Sequence, residues 1–271
     1  MKNGKLLIDS GDSIFEGALN NFVVEIWRDY VWNGNIRLDP SSSDVTLSLG
    51  NDLSRPTPNQ ITFTMTADVN NISEVSIHDT TVNGNGKTIT TPKLTVENNG
   101  YFNNVKIKSG ENLTVTGGGA LNLTNSSLSA GNSITATDIN VTGTLDVDLY
   151  AAAGDQRFYT NNITGTNGAA VTFRTSGKSS DGIVYFNKKT GNWIEIKDVS
   201  LNFSGTNASF ASDVYFTNAK ISTTQRDTAF EFQGIRPAVF RGENTIFADN
   251  IKTDIGSALV DKKRQSDVEK H

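Results

Sequence analysis

Short segments in which an apolar, a polar and a second apolar residue follow one another recur along most of this 271-residue chain. This alternation is typical of β-strands that bury one face, because successive side chains of a strand point to opposite sides. Sequences rich in Asn, Gly and Ser separate the segments and are expected to form turns. Seven of the segments in the middle of the chain are 94–96, 105–107, 113–115, 121–123, 134–136, 139–141 and 145–147.

Equivalent apolar residues are spaced about 20 positions apart. Leu94, Leu113 and Ile134 are separated by 19 and 21 residues, and a similar period recurs in the second half of the chain. A period of this length, with two or three short strands in each repeat, is typical of the coils of a β-solenoid. We therefore predict an all-β fold, a right-handed parallel β-helix with about 20 residues per coil and roughly 12 coils.

The composition agrees with a folded chain of many strands and many turns. There are 30 Asn, 31 Thr, 24 Ser and 24 Gly, but also 14 Phe, and the net charge is only −5. Disordered chains combine low hydrophobicity with high net charge and few aromatic residues, so this polar sequence is expected to fold. The negative charge argues against a nucleic-acid partner, and no apolar run approaches the length of a membrane span.

We predict one elongated β-helix over residues 1–255, within which two regions depart from the coil pattern. Residues 15–38 are rich in aromatic side chains and are expected to form a capping or first-coil region. Residues 51–60 contain two of the five prolines and are predicted to form a loop. Residues 256–271 lose the alternation and are predicted to form a charged tail, helical or disordered.

The sequence contains no recognisable set of catalytic residues, cofactor-binding residues or metal ligands. Glycosidases need two carboxylates within about 5 to 10 Å of each other, whereas the acidic residues here are scattered and no Asp-Asp pair occurs. Cys is absent, and neither a phosphate-binding Gly loop nor a metal-binding His spacing is found. We predict a non-enzymatic protein without a cofactor. A tailspike-like polysaccharide depolymerase or lyase on the same scaffold is the alternative.

One strand-like stretch, EIWRDYVW, combines aromatic and charged side chains. Strand alternation places Arg28, Tyr30 and Trp32 on one side and Trp27 and Asp29 on the other. Trp and Tyr rings can stack on a sugar ring, while Arg and Asp can bond its hydroxyl groups. These five residues are candidates for glycan contact. The alternative is that the aromatic rings cap or widen a coil.

Four phrases of the sequence have the style of a known protein family. They resemble the high-molecular-weight, filamentous-haemagglutinin-like adhesins of the two-partner secretion pathway. The similarity lies in the style and the period of the repeats and extends over roughly residues 60–250. The family's amino-terminal secretion domain, with its Asn-Pro-Asn-Gly-like motif, has no counterpart here. The four phrases are NLTVTGGGALNLTNSS, DINVTGTLDV, VTFRTSGKSSDGIVYF and LNFSGTNASF.

This resemblance implies a β-helical rod segment of a bacterial adhesin that is secreted or displayed at the cell surface and contributes to virulence. The implied partners are a host-cell receptor or glycan, and an outer-membrane secretion partner that acts on a region outside this sequence. Because no signal-peptide core is present, we expect an internal fragment of a longer exported protein. Autotransporter passengers share much of the style, so a β-helical passenger of a toxin-like autotransporter is a second alternative.

Some members of that family carry hexose on Asn in Asn-X-Ser/Thr sequences, so the resemblance also implies acceptors for N-linked hexose. Several matches are expected by chance in a sequence this rich in Asn, Ser and Thr, and stacked Asn side chains also form ladders without a sugar. The matching residues are Asn71, Asn112, Asn122, Asn125, Asn140, Asn162, Asn202 and Asn207.

Overall fold

The computed structural model describes residues 2–8, 13–50, 60–178, 182–191, 193–224, 230–233, 238–247 and 251–253. These residues form an all-β protein in which parallel strands stack as a β-solenoid. The predicted fold class is confirmed. The predicted loop at 51–60, except for Gln60, and the predicted tail at 256–271 lie outside the described residues. Among the described residues, no helix has the length and apolar character that a membrane crossing would need.

The solenoid has about 10 turns of about 21 residues each, fewer than the roughly 12 coils predicted from the sequence period. Several coils are longer than 20 residues. Asn20 pairs with Ser43 in the next coil, and Asp138 pairs with Asn162. Turns accept such insertions without disturbing the strand pairing, so the period in the sequence underestimates the mean coil length.

The chain divides into two compact units, Met1–Leu128 and Ser129–His271. In the first unit, each coil contributes successive strands to different sheets. One parallel sheet has the order β1-β3-β6-β8-β11-β14 and a second has the order β4-β7-β9-β12-β15, while β2 pairs with β5 and β10 with β13. The strands are β1 (Lys2–Ile8), β2 (Phe15–Gly17), β3 (Asn20–Ile26), β4 (Tyr30–Trp32), β5 (Ile36–Leu38), β6 (Ser43–Leu49), β7 (Ile61–Met65), β8 (Glu74–Ile77), β9 (Thr80–Asn83), β10 (Thr88–Thr90), β11 (Lys93–Val96), β12 (Asn99–Asn103), β13 (Lys106–Lys108), β14 (Asn112–Thr116) and β15 (Ala120–Ala130), which runs across the boundary residue.

The second unit stacks its strands in the same parallel manner. One sheet has the order β16-β18-β20-β23-β26-β29, and another has the order β17-β19-β21-β24-β27. The far end of β19 also pairs with β22, which is followed by β25 and β28. The strands are β16 (Ser133–Thr135), β17 (Asp138–Leu149), β18 (Gln156–Thr160), β19 (Asn162–Arg174), β20 (Gly182–Lys188), β21 (Trp193–Lys197), β22 (Ser200–Phe203), β23 (Thr206–Phe210), β24 (Asp213–Thr217), β25 (Lys220–Thr223), β26 (Phe230–Phe232), β27 (Val239–Arg241), β28 (Thr245–Phe247) and β29 (Ile251–Thr253).

The alternation in the sequence correctly predicts which side chains face the core. The apolar residues of all seven segments between 94 and 147 are buried. The strand lengths differ from expectation, because the predicted segments 139–141 and 145–147 both belong to β17. A register shift at Gly143, which has a φ of 68°, joins them. A bulge with a left-handed glycine bends the strand without ending its pairing.

The aromatic-rich region 15–38 forms β2 to β5 and is not a terminal cap. Its strand β3 lies between β1 and β6, so parallel neighbours flank it on both sides. Three of its aromatic side chains, Phe22, Tyr30 and Trp32, are buried in the coil interior. Tyr30 and Trp32 pack against Phe63, with ring centroids 6.3 and 6.0 Å apart. This region therefore lies within the stack of the first unit.

Candidate functional site

The predicted glycan-contact residues do not form one exposed surface. The stretch EIWRDYVW is not a continuous strand, because β3 ends at Ile26, a bend follows, and β4 begins at Tyr30. The bend changes the alternation, so Tyr30 and Trp32 point into the core while Arg28 and Asp29 are exposed. Only 5% of Tyr30 and 2% of Trp32 is accessible, so neither ring can stack on a sugar in this conformation.

Two polar side chains of this segment bond to the backbone of residues in the next coil. Trp32 Nε1 donates to the carbonyl oxygen of Asp68 at 3.1 Å, and Asp29 Oδ1 accepts from the backbone N–H of Thr62 at 2.7 Å. Burial raises the pKa of the Tyr30 phenol, because a phenolate would be poorly solvated there. Trp27 is half-buried. The five residues are therefore divided between the core and a turn.

The eight Asn-X-Ser/Thr positions differ in how accessible the Asn is. Asn207 is only 4% exposed, which leaves no room for a hexose in this conformation. Asn71 Nδ2 donates to the carbonyl oxygen of Leu38 at 2.7 Å, and Asn162 Nδ2 donates to Asp138 Oδ1. Only two of the eight are exposed, Asn112 and Asn125, whereas Asn71, Asn122, Asn140, Asn162 and Asn202 are half-buried.

A different surface, in the second unit, combines aromatic rings with charged groups. It lies on the outer side of three consecutive strands, β21, β24 and β27, and we call it the Trp193 face. Its residues alternate with inward-facing apolar residues, as strand geometry requires. The face consists of Trp193, Glu195, Asp213, Tyr215 and Arg241.

The pairing register determines which residues of the Trp193 face are adjacent. Trp193 pairs with Asp213, and Glu195 pairs with Tyr215 on the next coil. On the coil after that, Arg241 pairs with Thr217, two residues beyond Tyr215 on the same side of the sheet. Neighbouring strands are about 4.8 Å apart, so the five side chains share one small area.

The aromatic rings of this face hold one another in place. The Trp193 and Tyr215 rings make an edge-to-face contact, with centroids 5.5 Å apart and an interplanar angle of 74°. The guanidinium carbon of Arg241 lies 4.6 Å from the centroid of the Tyr215 ring, within cation–π range. Trp193 nevertheless remains 44% exposed, one of the few large hydrophobic residues that does among those described.

The sequence analysis did not find the Trp193 face because its members are far apart in the chain. Tyr215 follows Trp193 by 22 residues and Arg241 follows Tyr215 by 26. The available signal was the alternation in WIEIK, which places Ile194 and Ile196 inside and therefore Trp193 outside. Without the register between coils, that signal identifies a single exposed ring and no neighbours.

The first unit has a cleft of about 600 Å³ where turns of successive coils meet. Two of its hydroxyl groups form hydrogen bonds within single turns. Thr91 Oγ1 donates to the carbonyl oxygen of Lys93 at 2.9 Å, and Ser109 Oγ donates to that of Asn112 at 2.7 Å. Among the described residues that line the cleft, Glu111 is the only carboxylate and no aromatic ring offers a ligand a surface for stacking. The groups that line the cleft are therefore those expected where turns pack together.

Within the described part of the chain, no group of three or more His, Asp or Glu side chains is placed to hold a metal ion. Comparison with protein-family models, with curated proteins and with solved structures finds no match. A function for this chain must therefore be inferred from its sequence and from the geometry of its two units.

Proposed function

We propose that this chain is a non-enzymatic segment of a bacterial adhesin, secreted or displayed at the cell surface, that presents a binding surface to a host-cell receptor or glycan. The resemblance of its repeats to filamentous-haemagglutinin-like adhesins motivates this proposal. The proposal also includes an outer-membrane secretion partner, which acts on a region outside this sequence.

The observation that carries the proposal is the ordered polar surface of the stacked coils. Outward side chains of neighbouring coils bond to each other, as Asn103 Nδ2 does to Asn83 Oδ1 at 3.0 Å and Ser222 Oγ to Asn202 Oδ1 at 2.8 Å. Side chains held in this way lose little conformational freedom when a ligand binds. Exposed aromatic rings, Tyr101 in the first unit and Trp193 in the second, interrupt this polar surface.

A polysaccharide depolymerase is the second candidate, because two carboxylates flank the exposed Trp193 ring. Glu195 and Asp213 are diagonal neighbours on adjacent strands. Inverting glycosidases separate their two carboxyl groups by roughly 6.5 to 9.5 Å. The depolymerase candidate requires the Glu195 and Asp213 carboxyl groups to reach such a separation.

Both candidates are tested with the full chain. Labelled protein is added to host epithelial cells before and after periodate oxidation of their surface glycans, with the heat-unfolded chain as control. The adhesin proposal expects saturable binding that periodate reduces or that protease treatment of the cells abolishes. In parallel, bacterial capsular polysaccharides are incubated with the protein and assayed for new reducing ends. Absence of saturable binding to cells contradicts the adhesin, and release of reducing ends supports the depolymerase.

A further inference from the structure

We propose that the Trp193 face is a binding site for an uncharged oligosaccharide, with the Trp193 indole as the surface on which one sugar ring stacks. This inference deepens the proposed function and rests on it, since it assigns the glycan contact of the adhesin to named residues and a ligand class. It replaces the candidates of the segment 27–32, in which the rings of Tyr30 and Trp32 are buried.

The exposure of Trp193 is the first argument. Large aromatic side chains are mostly buried in folded proteins, and an exposed indole on a sheet leaves apolar area in contact with water. The edge-to-face contact with Tyr215 fixes the ring, while 44% of the residue stays accessible. A flat, immobilised apolar ring is suited to the apolar C–H face of a pyranose.

The second argument concerns the polar groups beside the ring. Asp213 lies directly across the strand pair from Trp193, and Glu195 lies two residues further along the same outer side. Ionised carboxylates accept hydrogen bonds strongly, so a sugar stacked on Trp193 has acceptors for its hydroxyl groups on two sides. Asn162 on β19 pairs with Glu195 and extends the polar row by one coil.

The charge of the face selects an uncharged ligand. The outer side of β21, β24 and β27 carries two carboxylates, Glu195 and Asp213, and two cations, Lys197 and Arg241. Arg241 lies over the Tyr215 ring, and Lys197 Nζ is 3.9 Å from Asp198 Oδ2. A sulfated or uronic-acid-rich glycan needs a surplus of positive charge, and the described residues of this face provide none. A neutral oligosaccharide meets no such penalty.

The test measures how tightly the full chain binds four tetrasaccharides. Three are neutral, made of β-linked glucose, of N-acetylglucosamine and of mannose, and a heparin tetrasaccharide is the charged probe. Calorimetry provides affinities, and tryptophan fluorescence reports on the ring itself. We expect at least one neutral probe to bind, and Trp193→Ala to weaken its affinity by roughly tenfold or more. Asp213→Asn should weaken binding less, and Trp193→Phe should abolish the fluorescence change while retaining part of the affinity.

Tyr101→Ala is the matched control, because Tyr101 is 42% exposed on the outer side of β12 in the first unit. It should leave the affinity unchanged, and all variants should keep the wild-type urea midpoint. Failure of every neutral probe to bind, equal binding by Trp193→Ala, or preference for heparin overturns this inference. Loss of oligosaccharide binding in Trp193→Ala, without cell binding by the wild type, supports the site and contradicts the adhesin. Cell binding by the wild type that Trp193→Ala retains supports the adhesin and contradicts the assignment of its glycan contact to this face.

Discussion

At the scale of single residues, some of the Asn, Asp and Gly of this sequence occupy left-handed backbone positions that other residues avoid. Asp198, Asn218 and Gly242 directly follow β21, β24 and β27 and have φ values of 52°, 50° and 72°. They stack on three consecutive coils, and Asn218 Nδ2 donates to Asp198 Oδ1 at 2.9 Å. Asn, Asp and Gly tolerate the left-handed region better than other residues. These three coils thus repeat one turn, and Asn, Asp and Gly are the residues that it accepts.

The glycine triplet between β14 and β15 provides a residue-scale prediction. A Cβ at Gly119 would lie 1.7 Å from the carbonyl oxygen of Asn98, whereas a Cβ at Gly118 would have no atom nearer than 3.9 Å. We expect Gly119→Ala to lower the free energy of unfolding by about 2 kcal/mol or more, because the backbone of the adjacent coil must move. Gly118→Ala should change it by less than about 0.5 kcal/mol. Urea unfolding followed by circular dichroism measures both, and equal effects of the two substitutions contradict the close approach.

At the scale of elements, strand stacking brings equivalent residues of successive coils into contact. In the second unit, Phe158, Phe186, Phe210 and Phe232 occupy the same register position of β18, β20, β23 and β26. Their consecutive ring centroids are 5.6, 4.7 and 5.3 Å apart. Aromatic pairs at these distances contribute beyond the area they bury. This column of rings forms one side of the core of that unit.

The phenylalanine column leads to a prediction for Phe186. Its ring contacts those of Phe158, Phe173, Phe203 and Phe210. Phe186→Ala should therefore lower the free energy of unfolding by about 3 to 5 kcal/mol. Phe186→Leu retains most of the volume and should cost about 1.5 kcal/mol or less. Urea titration of both variants tests the order, and a Phe186→Ala cost below that of Phe186→Leu would show that the column is not formed.

At the scale of the whole molecule, each unit is stabilised by contacts between neighbouring coils. Paired residues in the first unit, such as Glu74 with Lys93 or Thr81 with Tyr101, are separated by about one coil of sequence. In such an array each coil contacts mainly the coils before and after it, so stability depends on how many neighbours a coil has.

Backbone hydrogen exchange should reveal this dependence within the first unit. Among the described strands, β1 pairs with β3 alone, whereas β6 lies between β3 and β8. We expect the amides of β6 to exchange on the order of tenfold or more slowly than those of β1, after correction for intrinsic rates. Mass spectrometry of peptides covering 2–8 and 43–49 measures the difference. Equal protection would mean that the coil at β1 is as stable as an interior one.

The predicted fold class is confirmed because it depends on local chemistry, namely short alternating strands, a repeating period and residues that accept left-handed turns. The Trp193 face could not be predicted in the same way. Its residues come together only when three coils stack in a particular register, and the turn lengths that determine the register vary from coil to coil.

The amino-acid sequence by itself determined the strand period, the inward side of the seven segments between 94 and 147 and the parallel solenoid, since each follows from the properties of residues close together in the chain. Tertiary structure alone decided the number of coils, the joining of segments in β17, the burial of Tyr30 and Trp32 and the meeting of Trp193 with Tyr215 and Arg241. Each of these depends on a bend, a bulge or an inter-coil register, and these are determined by contacts between residues about 20 or more positions apart.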